Sequence, residues 1–287
     1  MFSYRHAFHA ANHADVLKHM VLLAVMRYMT KKDTALHVFD THAGAGLYRL
    51  DGDYAKTSAE ASQGFLKLLA SQPEQGFASA IQDYIDLVAS FNAAGNGSIY
   101  PGSPFIIQRY LHGRDKLKLF ETHPTDSKTL LANIAQLEAG RQVAVLREDG
   151  FEGLKKFLPP PSRRALVLCD PSYELKTDYA RVQALAVDAM QRFSTGTYAA
   201  WYPIIPRPEA HEVPKKLKTL ATKAGKSWLG VSLTVKNSKL SHDAQGEVVR
   251  PGLPASGMFV INPPHTLKAL LKDAMPQLVQ ALGQDQH

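Results

Sequence analysis

Short β-type runs separated by helix-patterned segments set the strongest limit on how this chain folds. Residues 36–40, 117–121, 143–146 and 166–170 are apolar runs of strand length, and helical patterns recur between and after them. Strands buried on both faces read as near-continuous apolar runs, and intervening helices return the chain to the same end of the sheet. The expectation is an α/β domain built on a mostly parallel sheet with helices on both faces. Residues 229–235 instead alternate apolar and small or polar positions, and 258–261 follow after a polar loop at 237–254. That pattern predicts an antiparallel edge pair. Between the first and second sheet units, 52–98 changes character: two helical stretches, 62–70 and 77–91, are separated by turn residues. This segment reads as a small helical insertion subdomain, leaving 1–51 and 99–287 as the main domain.

Upstream of the first strand, 14–29 reads as a helix. Val16, Met20, Leu23 and Tyr28 mark its buried stripe, while Asp15, Lys18, His19 and Leu22 share another face. Those polar groups meet a ligand only if that face looks into a cleft. Ser103 and Pro104 are expected at the N-cap and first position of a further helix.

Composition bounds the function. The 287 residues are 45% hydrophobic and 21% charged, an ordinary globular balance. The single cysteine, Cys169, excludes an internal disulfide framework and a four-cysteine zinc site. The longest apolar run, 20–26, is too short for a membrane span, and 1–13 does not resemble a signal peptide. A cytoplasmic protein is expected, without a heptad pattern and so read as a monomer. A net charge of +7 favours a polyanionic partner, with nucleic acid first, although solubility alone accounts for such a charge equally well. His6, His9, His13 and His19 have no cysteine or carboxylate at ligand spacing, so no metal site is expected.

Four strand ends carry the chemistry. In an open α/β sheet the carboxyl ends of neighbouring strands share one crevice. Asp40 precedes the glycine loop Thr41-His42-Ala43-Gly44-Ala45-Gly46, whose backbone can approach a ligand. The loop lacks a third glycine at dinucleotide spacing, which argues against NAD and for another adenosine cofactor. Glu121 suits ribose hydroxyls, and Asp149 beside Gly150 suits an adenine amino group. Asp170-Pro171-Ser172-Tyr173 offers a carboxylate, a free carbonyl and a flat ring, which suit a planar base taken out of its stack. Any one of these acids is more often a strand-end turn or helix cap; four in register make the stronger pattern.

The residues also carry a resemblance. Asp40 to Gly46 is similar to the glycine loop of S-adenosylmethionine-dependent methyltransferases, and Asp170 to Tyr173 to the D-P-P-Y motif of adenine-N6 methyltransferases. Met1-Phe2-Ser3-Tyr4-Arg5-His6 and the block from His9 to His19 resemble the opening of the RlmJ family of bacterial methyltransferases, which form N6-methyladenine at position 2030 of 23S ribosomal RNA. Tyr100 to Pro104, Lys176 to Tyr179, Trp201 to Pro203 and Ala255 to Met258 extend the likeness over essentially the whole chain. The resemblance implies a Rossmann-like methyltransferase fold with S-adenosyl-L-methionine as cofactor and 23S rRNA as partner. It implies cofactor contacts at His19, His42, Ser103, Glu121, Asp149, Gly150 and Asp170, a catalytic Asp170, and substrate contacts at Tyr4 and Tyr173. The chain departs from the pattern at Ser172, where the family has a second proline, making the turn less rigid.

Tyr4 and Arg5 are read as part of an arm (1–13) that folds over the cleft toward RNA, with an ordinary packing arm as the alternative. Arg163, Arg164, Lys215, Lys216 and Lys218 are candidate phosphate contacts. DNA adenine methylation shares every catalytic residue, methylation of a protein glutamine goes with N-P-P-Y rather than Asp170, and a non-catalytic RNA-binding module retaining the pocket is the reading from a different class.

Overall fold

The structure, a computed structural model, describes residues 9–51, 60–92, 98–238, 241–242, 248–249 and 252–284. Helix α1 (His13–Met29) leads to β1 (His37–Asp40) and β2 (Leu47–Arg49). Helices α2 (Glu60–Gln63), α3 (Phe65–Ala70) and α4 (Ser79–Ser90) precede β3 (Ile99–Pro101) and α5 (Ser103–Gln108). Strand–helix alternation then runs through β4 (Lys116–Phe120), α6 (Pro124–Ala135), β5 (Val143–Leu146), α7 (Gly150–Gly153), β6 (Ala165–Cys169), α8 (Thr177–Arg192), β7 (Thr197–Ile204) and α9 (Pro208–Lys223). The chain continues with β8 (Trp228–Thr234), the short pair β9 (Ser241–His242) and β10 (Val248–Val249), β11 (Ala255–Ile261) and α10 (Leu267–Leu282).

Seven strands form one sheet in the order β5-β4-β1-β6-β7-β11-β8. Neighbours from β5 to β7 pair parallel, and β11 runs antiparallel to both β7 and β8. The expected antiparallel pair is therefore present at one end of the sheet, with β8 outermost and β11 slotted inside it. The neighbours explain the patterns: β11, covered on both sides, is buried throughout, while β8 alternates exposure along one free edge. β1 lies between β4 and β6, so the order reverses there and a crevice opens beyond the carboxyl ends.

Successive side chains on the central strands point to opposite faces. Val38, Leu166 and Leu168 join the layer containing α1, α4 and α10; Phe39, Val167 and Cys169 join the layer containing α8 and α9. α1 is buried around almost its whole circumference, not along the single stripe its sequence suggested. Helices α4 and α10, the sheet and the cleft surround it, and its polar face lines the cleft. Asn12 starts α1 by accepting from the Ala14 and Asp15 amides, both at 2.9 Å.

The 52–98 segment is bracketed by β2 and β3, which pair antiparallel. Its described helices are not an appendage. Phe65, Leu68, Ile81 and Tyr84 are buried in the same core layer as α1, and the Phe65 amide donates to the Ala11 carbonyl at 2.8 Å. Helix α5 corrects one local expectation. Gly102 occupies the N-cap and Ser103 is already inside the helix, because the Ser103 hydroxyl donates instead to Asp40.

Candidate active site

One cleft of about 710 Å³ lies over the carboxyl ends of β1, β4, β5, β6 and β7. His19, His42, Ser103, Glu121, Asp149, Gly150, Asp170 and Tyr173 all line it. Tyr4, the remaining residue singled out from the sequence, lies outside the described residues, as does Arg5.

The floor is the loop after β1. Gly44 and Gly46 take φ of +60° and +82°, a left-handed backbone that glycine adopts without strain. The Gly44 amide donates to Glu121 Oε2 at 2.8 Å, and Glu121 Oε1 accepts from the His123 amide at 2.7 Å. The carboxylate at the end of β4 thus pins the loop after β1. Gly150 closes the opposite side: a Cβ there would sit 2.1 Å from the Thr41 carbonyl oxygen, so α7 can approach the β1 loop only through glycine. Asp149 caps α7 by accepting from the Phe151 amide at 2.9 Å, and its other oxygen accepts from Arg181 at 2.6 Å. The Arg181 guanidinium lies 4.2 Å from the centre of the Phe151 ring, and His42 meets that ring edge-on.

The second half is centred on Asp170, just past β6. Asp170 Oδ2 accepts from Lys18 Nζ at 2.6 Å, and the same ammonium lies 2.7 Å from Asp15 Oδ1. Asp15 is fixed in turn by the Ala11 amide at 2.9 Å. His19 is buried behind this pair, its Nδ1 2.9 Å from the Tyr100 hydroxyl, which meets the Tyr84 hydroxyl at 2.6 Å. The polar face of α1 therefore does look into the cleft, and it delivers a charged row to Asp170. Tyr173 has φ of +54° and donates from its hydroxyl to the Trp201 carbonyl at 2.6 Å. Its ring sits 4.7 Å from Tyr179 and 5.8 Å from Trp201, making an aromatic wall beside Asp170. Ser172 is exposed. The turn is anchored through the Tyr173–Trp201 bond, a contact independent of a second proline.

Electrostatics follow from burial. Asp40, fully buried under the loop, is pushed up to about 6 by desolvation, with the Ser103 hydrogen bond opposing. Desolvation drives His42 down to about 4, so its ring is neutral at pH 7. Burial raises Glu121 against its two amide donors. Burial also acts upward on Asp149, yet the Arg181 contact outweighs it and holds that carboxylate below its usual range. Burial opposes the Lys18 charge, but Asp15 and Asp170 override it and keep the ammonium protonated well above the ordinary lysine value.

Lys18 and Asp15 were visible in sequence as neighbours at helical spacing, conditional on a cleft. Arg181 and Trp201 gave no local signal of their position, since only the packing of α8 and β7 brings them to the cleft. Of the basic candidates, Arg163 and Arg164 precede β6 and lie at the opposite end of the sheet, where Arg164 donates to the Thr34 and Met29 carbonyls. Lys218 lies 4.9 Å over the Trp228 ring and Lys215 pairs with Glu212 at 3.2 Å, both on α9. No cluster of three or more histidine, cysteine, aspartate or glutamate residues among the described residues is arranged to hold a metal. No described helix is long and apolar enough to cross a membrane.

Comparison with known proteins agrees with this architecture. A crystal structure of a Legionella pneumophila (strain Philadelphia 1) protein superposes with a TM-score of 0.82 at 30% identity, covering 96% of this chain and 94% of that one. The chain is 37% identical over 278 residues to the ribosomal RNA large subunit methyltransferase J of Escherichia coli (strain K12), covering 97% of this chain and 93% of that protein. It is 36% identical over 285 residues to the protein of the same name from Haemophilus influenzae (strain Rd), covering 98% and 94%. The model of the family described as "RsmJ: Ribosomal RNA large subunit methyltransferase D, RlmJ" matches residues 33–287, and the chain belongs to that family.

Proposed function

We propose that this protein transfers the methyl group of S-adenosyl-L-methionine to N6 of one adenine in 23S ribosomal RNA, position 2030 by family resemblance. Family membership supports ribosomal RNA methylation. The observation that carries the finer reading is Asp170: one oxygen is held by Lys18 at 2.6 Å, and it stands beside Pro171 and the Tyr173–Trp201 wall.

The cleft suits the cofactor. Its volume of about 710 Å³ lies in the range of small-molecule sites, with room for an adenosine and a flipped base. Glu121 and Asp149 supply carboxylates at adjacent strand ends, the pattern for ribose hydroxyls and an adenine amine, with Phe151 and neutral His42 beside them. When bound, the cofactor supplies an electrophilic sulfonium methyl group.

The adenine amine is a poor nucleophile because its lone pair is delocalised into the ring. Asp170 and the Pro171 carbonyl would accept from its two N–H groups, favouring a more tetrahedral nitrogen. Lys18 fixes the carboxylate so that its second oxygen faces the amine. As the nitrogen takes the methyl group and the carbon–sulfur bond breaks, Asp170 stabilises the positive charge developing on the nitrogen without rearranging, and the surplus amine proton then leaves to solvent. Tyr173 holds the plane of the extruded base. The resemblance assigns a substrate contact to Tyr4. Residues 52–98 are read as an insertion within a methyltransferase domain formed by 1–51 and 99–287, acting in the cytoplasm as a monomer.

The decisive experiment measures transfer of labelled methyl groups to a 23S rRNA fragment, with a DNA oligonucleotide of matching sequence as competitor. Asp170→Asn should reduce transfer by about three orders of magnitude, the size expected for loss of a main transition-state stabiliser; because Lys18 then keeps only Asp15 as a charged partner, the melting temperature should fall, and circular dichroism at the assay temperature checks that the variant is still folded. Near-normal turnover of that variant, or preference for DNA, would overturn the reading.

A further inference from the structure

Leu175 is 64% exposed, the most exposed of the large hydrophobic residues described, and it lines the mouth of the active-site cleft. Isolated exposed leucines are common on protein surfaces. This one differs in where it stands and how it is mounted. It follows Tyr173 by two residues, at the rim of the half of the cleft that holds Asp170.

The mount is stiff. Tyr173 fixes one side through its hydroxyl bond to the Trp201 carbonyl at 2.6 Å. On the other side the Asp178 amide donates to the Leu175 carbonyl at 3.0 Å, tying the residue to the start of α8. An apolar tip is thus held outward from an ordered turn. Its chain neighbours Glu174 and Lys176 are exposed, so one charge of each sign borders it in the chain. An outward-facing leucine beside a lysine matches a base stack bordered by a phosphate. Proteins that unstack nucleic acids insert apolar side chains between bases for this purpose.

We propose that Leu175 is a wedge that enters the RNA base stack at the position vacated by the target adenine, with Lys176 meeting a flanking phosphate. The inference rests on the adenine-flipping reading above. The wedge removes the empty step left by extrusion and so favours the extruded state. A flat aromatic or long aliphatic side chain can perform the same task, whereas alanine is too short and aspartate repels the backbone.

The test compares two RNA substrates: a 23S rRNA hairpin with the target adenine inside a stack, and a short unpaired oligonucleotide of the same sequence. For each protein the ratio of kcat/KM on the hairpin to kcat/KM on the unpaired strand is measured. Leu175→Ala and Leu175→Asp should lower that ratio about tenfold or more, because only the hairpin requires unstacking. Leu175→Phe should hold the ratio near the wild-type value. With 2-aminopurine in place of the target, binding of wild-type protein should raise hairpin fluorescence, and Leu175→Ala should diminish the rise. Equal losses on both substrates, or no loss on either, would overturn the wedge. Wild-type protein that methylates neither RNA would instead overturn the adenine-methylation reading beneath it.

Discussion

Lys18 is only 4% exposed, yet it carries a charge between two carboxylates. A buried ammonium is tolerated only when its partners are close, and removing one partner leaves an uncompensated charge. Lys18→Met should therefore both destabilise the protein, by roughly 3 kcal/mol, and abolish methyl transfer; urea unfolding and the transfer assay separate the two effects. Asp40 and His42 are two residues apart and titrate in opposition. Asp40, raised to about 6, binds its proton in the folded state first, so its contribution to stability falls as pH rises from about 4 to about 6. His42, lowered to about 4, stays neutral when folded, so its contribution falls as pH drops from about 6.5 to about 4. The two slopes, each about 1.4 kcal/mol per pH unit, oppose one another over that window. Asp40→Asn should expose the histidine slope and make the protein more acid-sensitive, whereas His42→Asn should expose the aspartate slope and reverse the trend. Urea titrations at several pH values between 4 and 6.5 would read both.

At the scale of elements, the cleft is assembled by close approaches between loops. α7 meets the β1 loop at Gly150, where a methyl group would collide with the Thr41 carbonyl. The neighbour is backbone, so it cannot swing aside. Gly150→Ala should shift the loop, cost about 1–3 kcal/mol of stability and weaken cofactor binding, as measured by calorimetric titration with S-adenosylmethionine. The Asp170 turn depends on a different kind of contact. Tyr173 supports the left-handed backbone at the turn by reaching β7 through its hydroxyl.

For the whole molecule, the helices within 60–92 complete the shell around α1. Glu60 accepts from Asn12 at 3.0 Å and pairs with His9 at 2.9 Å, and Tyr84 and Phe65 bury against Tyr100. Excision of 52–98 should expose the apolar flank of α1 and abolish a cooperative thermal transition, observable by near-ultraviolet circular dichroism. The net charge of +7 bears on association rather than fold. Binding to a 23S rRNA fragment should weaken about tenfold or more between 50 and 200 mM salt, through release of counterions.

Strand identity, the parallel sheet and the row of acids at strand ends were legible in the chain because each follows from local pattern: apolar runs, helical spacing, a glycine loop. So was the grouping of His42, Glu121, Asp149 and Asp170, since a parallel sheet must place its carboxyl ends together. The insertion of β11 between β7 and β8 was not legible, because strand order is decided by long-range packing. Local pattern makes Ser103 a cap, but Asp40, 63 residues away in sequence, claims its hydroxyl at 2.6 Å. Arg181 reaches Asp149 only through the docking of α8, and Lys18 reaches Asp170 only because α1 packs with its polar face toward the cleft. The local chemistry of the Asp170-Pro171-Ser172-Tyr173 turn was written in the amino acids. The charge that aims it, the wall behind it and the leucine held out at its rim arise from tertiary structure, which alone brings residues distant in sequence within a few ångströms.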